Sequence, residues 1–443
     1  MKVEVDQYNT LNLNLLNGSI CMFCTVQYNN FRKKTSTSEL VERTDAIYAN
    51  QLKYIDADPE DAAVYGIKYK CIFSKLDYFS VPNAFPPDIM HDCLEGVVPI
   101  TIFEVLKALH SQKLITITDL NTSLSQVRIP TSDKPNTFPQ TFFTGGKIIG
   151  SASQKLELLL ILPQLLNLDV VVNSAAWDVY LKLRMCMDFI LSPVIEKDSL
   201  PFLASLIDSY IKEFKEKFGE EKLIPKHHYM MHIPSLMEKF GPLRNLWCMN
   251  YERKHQYFKK LIINTKNFIN VTNTLTERHQ MRLAYELSSK HFFSVESEAQ
   301  SAVKNISFGT LPQTLRVTIQ EKTGKPINDM CIIPAVKSLH VDGISYIINS
   351  CVCYVLDFSK ELPCFVQPKH ILLLNGKWHL CVKVYLPIRY EMNAHAYEVE
   401  CQPSWLAVLP YELVDSHMHR LYRKNNKTYA YTVFNVTEFH KNF

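Results

Sequence analysis

Residues 225–234 read PKHHYMMHIP, and residues 241–260 read GPLRNLWCMNYERKHQYFKK. Three imidazoles, His227, His228 and His232, fall within six residues, just ahead of a cation-rich run. On a helix, His228 and His232 stand four positions apart and share a face. Two neutral imidazoles so placed can both ligate one zinc ion. The metalloprotease pattern is absent, because Tyr229 stands where that motif places its glutamate. A half-buried helix with polar histidines near its end has the same spacing, so both readings stay open here.

Toward the start of the chain lies CMFC, with Cys21 and Cys24. Two thiolates from a tight turn can reach one tetrahedral ion. A redox pair is disfavoured, since no βαβ context surrounds it. The cysteine pair and the histidine pair together would make one closed site, but only the fold could bring them across some 200 residues. Two further constellations carry charge. Glu252 is flanked by Arg253, Lys254, Lys259 and Lys260. A carboxylate among cations could hold a divalent metal beside a phosphate backbone; the same pattern also describes a solvated helix laced by ion pairs. DIMHDCLEG places Asp88 with His91, and Asp92 with Glu95, at helical i,i+3 spacing. This is an acid/base or metal cluster, or a helix start capped by Asp88.

Length and composition bound these readings. The chain has 443 residues, 47% hydrophobic and 21% charged, as expected of a folded protein of two or three domains. A net charge of only +4 gives no bulk argument for nucleic acid, so any such case rests on local runs such as FRKK (31–34), RKHQYFKK (253–260) and HMHRLYRKNNK (417–427). The start lacks the shape of a secretory signal. The most apolar run, 156–172, is interrupted by Pro163, Asn167 and Asp169 and reads as a buried helix, not a membrane span. The expectation is a nuclear or cytoplasmic protein, not secreted and without membrane contact, whose twelve cysteines are reduced. Gly145-Gly146-Lys147 lacks the spacing of a phosphate loop.

Residues 1–150 are mixed, with an irregular stretch at 128–150. Residues 151–305 are helix-rich, with apolar positions at three- and four-residue spacing. A linker is expected at 306–329, rich in Gly, Pro and Thr. Residues 330–443 alternate Ile, Val, Tyr and Cys between turns at Asp342-Gly343 and Asn375-Gly376, the pattern of a small β-barrel or half-barrel.

Taken in order, Cys21-x2-Cys24, LVERTDAIYANQL (40–52), PPDIMHDCLEGVVP (86–99), SASQKLELLLILP (151–163), PKHHYMMHIP, GPLRNLWCMNYERKHQYFKK and HAYEVE (395–400) resemble one family. It is the transposases of the CACTA (En/Spm-like) DNA transposons, in their animal form, and more distantly the V(D)J recombinase core. The resemblance implies an α+β fold: a partial ribonuclease-H-like core interrupted by a large helical insertion and followed by a small all-β C-terminal domain. It implies a structural zinc held by Cys21, Cys24, His228 and His232, with His227 as the alternative ligand. It matches Glu252 to the last of three catalytic acids that hold two Mg²⁺ ions. Asp88-x2-His91 matches a signature whose role is supporting, not metal-holding. In the family both catalytic aspartates precede the cysteine pair; here only twenty residues do, and Asp6 is the sole aspartate among them. The expectation is therefore a transposase-derived protein without catalysis of its own, which binds DNA, protein partners or itself. The alternative is an active nuclease completed by an upstream segment or a partner chain, and Mg²⁺ belongs only to that case.

Overall fold

The computed structural model describes residues 18–67, 69–127, 129, 133–288, 297–341, 344–349, 353–357, 362–413 and 420–431. Asp6, Asp342-Gly343 and the segment 417–419 lie outside them. The chain divides into a unit that runs to Tyr251 and a second from Glu252 to Val433.

Helices with facing apolar stripes build the first unit. In order they are α1 (Asp45–Ala57), a π-helix (Met90–Val97) continuing into α2 (Val98–Ser111), α3 (Ile117–Gln126), α4 (Ala152–Leu165), α5 (Ala175–Ile190), α6 (Leu200–Phe218), α7 (Pro225–Met230) and α8 (Ile233–Phe240), with shorter turns between them. The apolar run becomes α4. Ser151 and Gln154 form its capping box, and Leu158 through Leu162 are all buried. No helix among the described residues is long and apolar enough to cross a membrane. At the centre, α5 buries Trp177, Tyr180, Leu183 and Met187 completely and packs on α2 and α6. Burying each such side chain contributes roughly 1.5–3 kcal/mol.

The π-helix has a local cause. Pro99 has no N–H, and its ring would crowd the carbonyl four residues back. The turn widens, and the Val98 N–H reaches five residues back to the Cys93 carbonyl. Such turns are rare and gather at functional sites.

Two expectations change here. The π-helix and α2 pack on α4, α5 and α7, so the zones drawn at 1–150 and 151–305 share one body, which closes at Tyr251. Among its described residues β-structure is limited to two isolated bridges, Ser19↔Gln27 and Cys24↔Glu42. The ribonuclease-H-like sheet implied by the resemblance has no counterpart in them, because their apolar residues follow helical rather than alternating spacing. The α+β class itself holds.

The second unit starts within α9 (Met249–Thr265) and continues through α10 (Val271–Ser288) into β-structure. The strands are β1 (Ser297–Ala299), β2 (Lys304–Ser307), β3 (Ile332–Val336), β4 (Ser338–Val341), β5 (Ile344–Ile347), β6 (Cys353–Asp357), β7 (Leu362–Leu374), β8 (Lys377–Glu391), β9 (Ala396–Val408), β10 (Arg420–Lys424) and β11 (Lys427–Tyr431). One antiparallel sheet runs β10-β11-β9-β8-β7-β3-β2, with β6 sharing the edge of β7, and a smaller one runs β1-β4-β5. Asn375 and Gly376 adopt φ of 49° and 75°, so the expected turn closes the β7–β8 hairpin as a type I′ turn. Register shifts at Pro368/His370, Lys383/Tyr385 and Pro387/Arg389 bend the long strands and curl the sheet into a half-barrel. The expected linker is ordered. Residues Gln313–Thr323 form α11, which buries Leu315 and Ile319 against Phe308, Leu372, Leu374 and Cys381.

Candidate metal centre

Cys21 and Cys24 sit in a tight hairpin. The Ile20 N–H donates to Val26 O at 3.3 Å, Thr25 N–H to Val41 O at 3.1 Å, and Arg43 N–H to Phe23 O at 2.8 Å. The Phe23 N–H donates to Cys21 Sγ at 3.3 Å, the backbone support typical of a thiolate turn. Both cysteines are buried and free of disulfide.

The histidines come from a joint between two helices. His228 lies in the last turn of α7, and His232 is the N-cap residue of α8. Pro234 in the first turn of α8 cannot donate back along the chain, so one continuous helix is broken here. The joint tightens to three-residue bonds, Met231 N–H to His228 O and His232 N–H to Tyr229 O, each 3.1 Å. The i,i+4 relation survives the break, and the two Nε2 atoms lie 3.2 Å apart.

Across the fold, Cys21 Sγ is 3.4 Å from His232 Nε2, and Cys24 Sγ is 3.2 Å from His228 Nε2. All four donor atoms lie within 4.8 Å of one another, and all four residues are buried. A zinc tetrahedron with bonds of about 2.3 Å to sulfur and 2.05 Å to nitrogen has S···N edges of about 3.6 Å and an N···N edge of about 3.3 Å. The measured edges fall within about 0.4 Å of these, so the residues fit a tetrahedral ion. Protonation agrees. Burial lowers the His232 imidazole below its ordinary value, leaving it neutral as a ligand must be. The Cys24 thiol is lowered to about 2, first by its hydrogen bond with Cys21 and then, against its own burial, by His228 and His232. Burial, with the neighbouring Cys24, raises the Cys21 thiol above its ordinary range.

His227 is not the fourth ligand. Its Nδ1 accepts the Ile224 N–H at 3.2 Å, and its ring packs 4.8 Å from Phe214, inside the helical core. Burial pushes its imidazole down to about 3.

Sequence reasoning missed Arg43. Its buried guanidinium donates to Cys21 O at 3.0 Å, Cys24 O at 3.3 Å, Ser19 Oγ at 3.0 Å and Tyr65 O at 3.2 Å, and also to Gln51 Oε1. It clamps the carbonyls of both ligand-bearing cysteines. Tyr229 OH donates to Ile20 O at 2.7 Å and ties α7 to the same hairpin. Arg43 lies in LVERTDAIYANQL, yet a lone arginine carries no sign of its burial.

The acidic constellation folds differently. Asp88 Oδ1 accepts the N–H groups of Met90 and Cys248, both at 3.1 Å, while Oδ2 meets His91 Nδ1. Burial opposes its ionisation, but bonds from His91 and Cys248 hold its carboxyl below the usual range. Asp92 is buried and pushed up to about 7, while Glu95 pairs with Lys155 at 3.7 Å. Glu252 stands in the first turn of α9 and is exposed, as are Lys254, Lys259 and Lys260; the Arg253 side chain lies outside the described set.

Compared with family models, with curated proteins and with solved structures, the chain matches none.

Proposed function

We propose that the chain is a transposase-like protein of the CACTA type, built around a structural zinc, that binds DNA or a protein partner and does not cut strands by itself. One observation carries this reading. The four residues the resemblance assigns to a shared ion, separated by 204 and 211 positions, meet at ligand distances in a buried pocket. An S₂N₂ set closed on all sides suits zinc in a structural role, because tetrahedral thiolate–imidazole sites select it and no position is left for a substrate. Thiolate ligands also suit a reducing compartment, nucleus or cytoplasm.

Two-metal strand cleavage needs three carboxylates, and the matched motifs supply one, Glu252. The exposed lysines of α9 support binding to a phosphate backbone. The test has two arms on the 443-residue chain. Duplex DNA binding should weaken steeply as salt rises; no binding at low salt sinks the DNA reading. A nicking assay with Mg²⁺ or Mn²⁺ should give no product. Cleavage abolished by Glu252→Ala would establish the alternative, an active nuclease.

A further inference from the structure

We propose that Asp88, His91 and Cys248 form a second metal site, open to solvent, which takes a divalent ion of borderline softness such as zinc or cobalt. One ligand atom from each residue lies within 4.8 Å of the other two. The donors arrive from segments 160 positions apart, so local helix geometry alone does not explain their meeting.

The carboxylate is aimed in advance. Asp88 Oδ1 is occupied by the N–H groups of Met90 and Cys248, which turns Oδ2 toward His91 Nδ1. The same backbone bond anchors Cys248 beside the carboxylate. A carboxylate stands on the far side of His91. The His91 Nε2 faces Glu95 Oε2 at 3.9 Å, and Glu95 is itself held by Lys155 at 3.7 Å. At 3.9 Å the His91–Glu95 pair is longer than a hydrogen bond, and a carboxylate on that side is the usual partner for the far nitrogen of a metal-bound histidine. Binding an ion displaces the hydrogen between Asp88 Oδ2 and His91 Nδ1 and also the thiol hydrogen of Cys248, so metal uptake releases protons to solvent. Lys226 secures the segment by donating to His91 O at 2.6 Å, and it lies across Gly96, where a Cβ would meet its Cδ at 2.3 Å.

The donor chemistry sets the ion. One thiolate, one carboxylate and one neutral imidazole balance a 2+ charge, and the sulfur disfavours magnesium and calcium. Three protein ligands leave a position for water, and the His91 side chain is 46% exposed, so solvent reaches it. The Cys₂His₂ centre, by contrast, is buried throughout. This site does not depend on the transposase reading.

The test is cobalt titration of the metal-stripped 443-residue protein, followed by absorption. Two equivalents should bind, and Cys248→Ser should remove about a third of the thiolate-to-cobalt band, since two of three ligating thiolates remain. His91→Ala should bind one equivalent with unchanged helical circular dichroism, whereas Cys21→Ser should lose the other equivalent. If His91→Ala fails to fold, Glu95→Gln serves instead and should weaken only the second equivalent, by roughly 10–100-fold. A single equivalent in the wild type, or two in His91→Ala, or unaltered affinity in Glu95→Gln, overturns the proposal.

Discussion

Replacing Arg43 with methionine keeps much of the side chain's length and removes its guanidinium. Five acceptors lose a donor: the carbonyls of Cys21, Cys24 and Tyr65, the Ser19 hydroxyl and the Gln51 amide oxygen. Only the first two belong to the ligand-bearing turn. At about 1 kcal/mol net each, their loss weakens the centre by about 2 kcal/mol, roughly 30-fold in metal dissociation constant. The other three act on the fold, and total destabilisation should reach about 3 kcal/mol, since burying an apolar chain offsets part of the cost. Arg43→Lys should fall between the two, because it keeps the charge beside the thiols but cannot fork across two carbonyls. The assay is competition with a chromophoric chelator at neutral pH, alongside thermal unfolding. Affinity in Arg43→Met within about twofold of wild type would refute the idea that this clamp shapes the turn.

His232→Ala should lose the buried metal equivalent and at least about 3 kcal/mol of stability, and a chelator should lower its melting temperature less than that of the wild type; equal drops would contradict this. His227→Phe should keep full metal content by elemental analysis, since that ring packs against Phe214. Gly376→Ala should destabilise the β-rich unit by about 1 kcal/mol in urea unfolding, because φ at this position is 75°. His379 is buried and its imidazole is held below its ordinary value, by burial first. Its folded pKa is depressed, so the unfolded chain takes up the proton first, and stability is present above about pH 6.5 and lost as pH falls below it. Urea unfolding across that range should show a shallower slope in His379→Gln, and an unchanged slope would count against the assignment.

The metal centre was legible because its chemistry is written in residue types. Each half site alone had an ordinary structural reading, and it was the resemblance that joined them; the i,i+4 spacing survived even though Pro234 broke the helix meant to carry it. What the sequence could not show is what holds the ligands. Arg43 and Cys248 are single residues without pattern, and their roles come from groups distant in the chain. The segment 306–329 misled for a definite reason. Pro312 and Gly324 read as loop punctuation, yet they are the N-cap and the left-handed C-cap of α11. The inward residues Leu311, Leu315 and Ile319, four apart, were the better signal. The widened turn of DIMHDCLEGVV was likewise hidden, since its apolar spacing is nearly that of an ordinary helix.

The separation of the ligands bears on how the protein is made. Cys24 leaves the ribosome 204 residues before His228, and Cys21 leaves 211 before His232. At 5–20 residues per second, the thiols wait roughly 10–40 s for their imidazole partners. Throughout that interval the nascent chain offers a naked dithiol to oxidants and to stray copper, and the hairpin around it docks only after α7 has emerged.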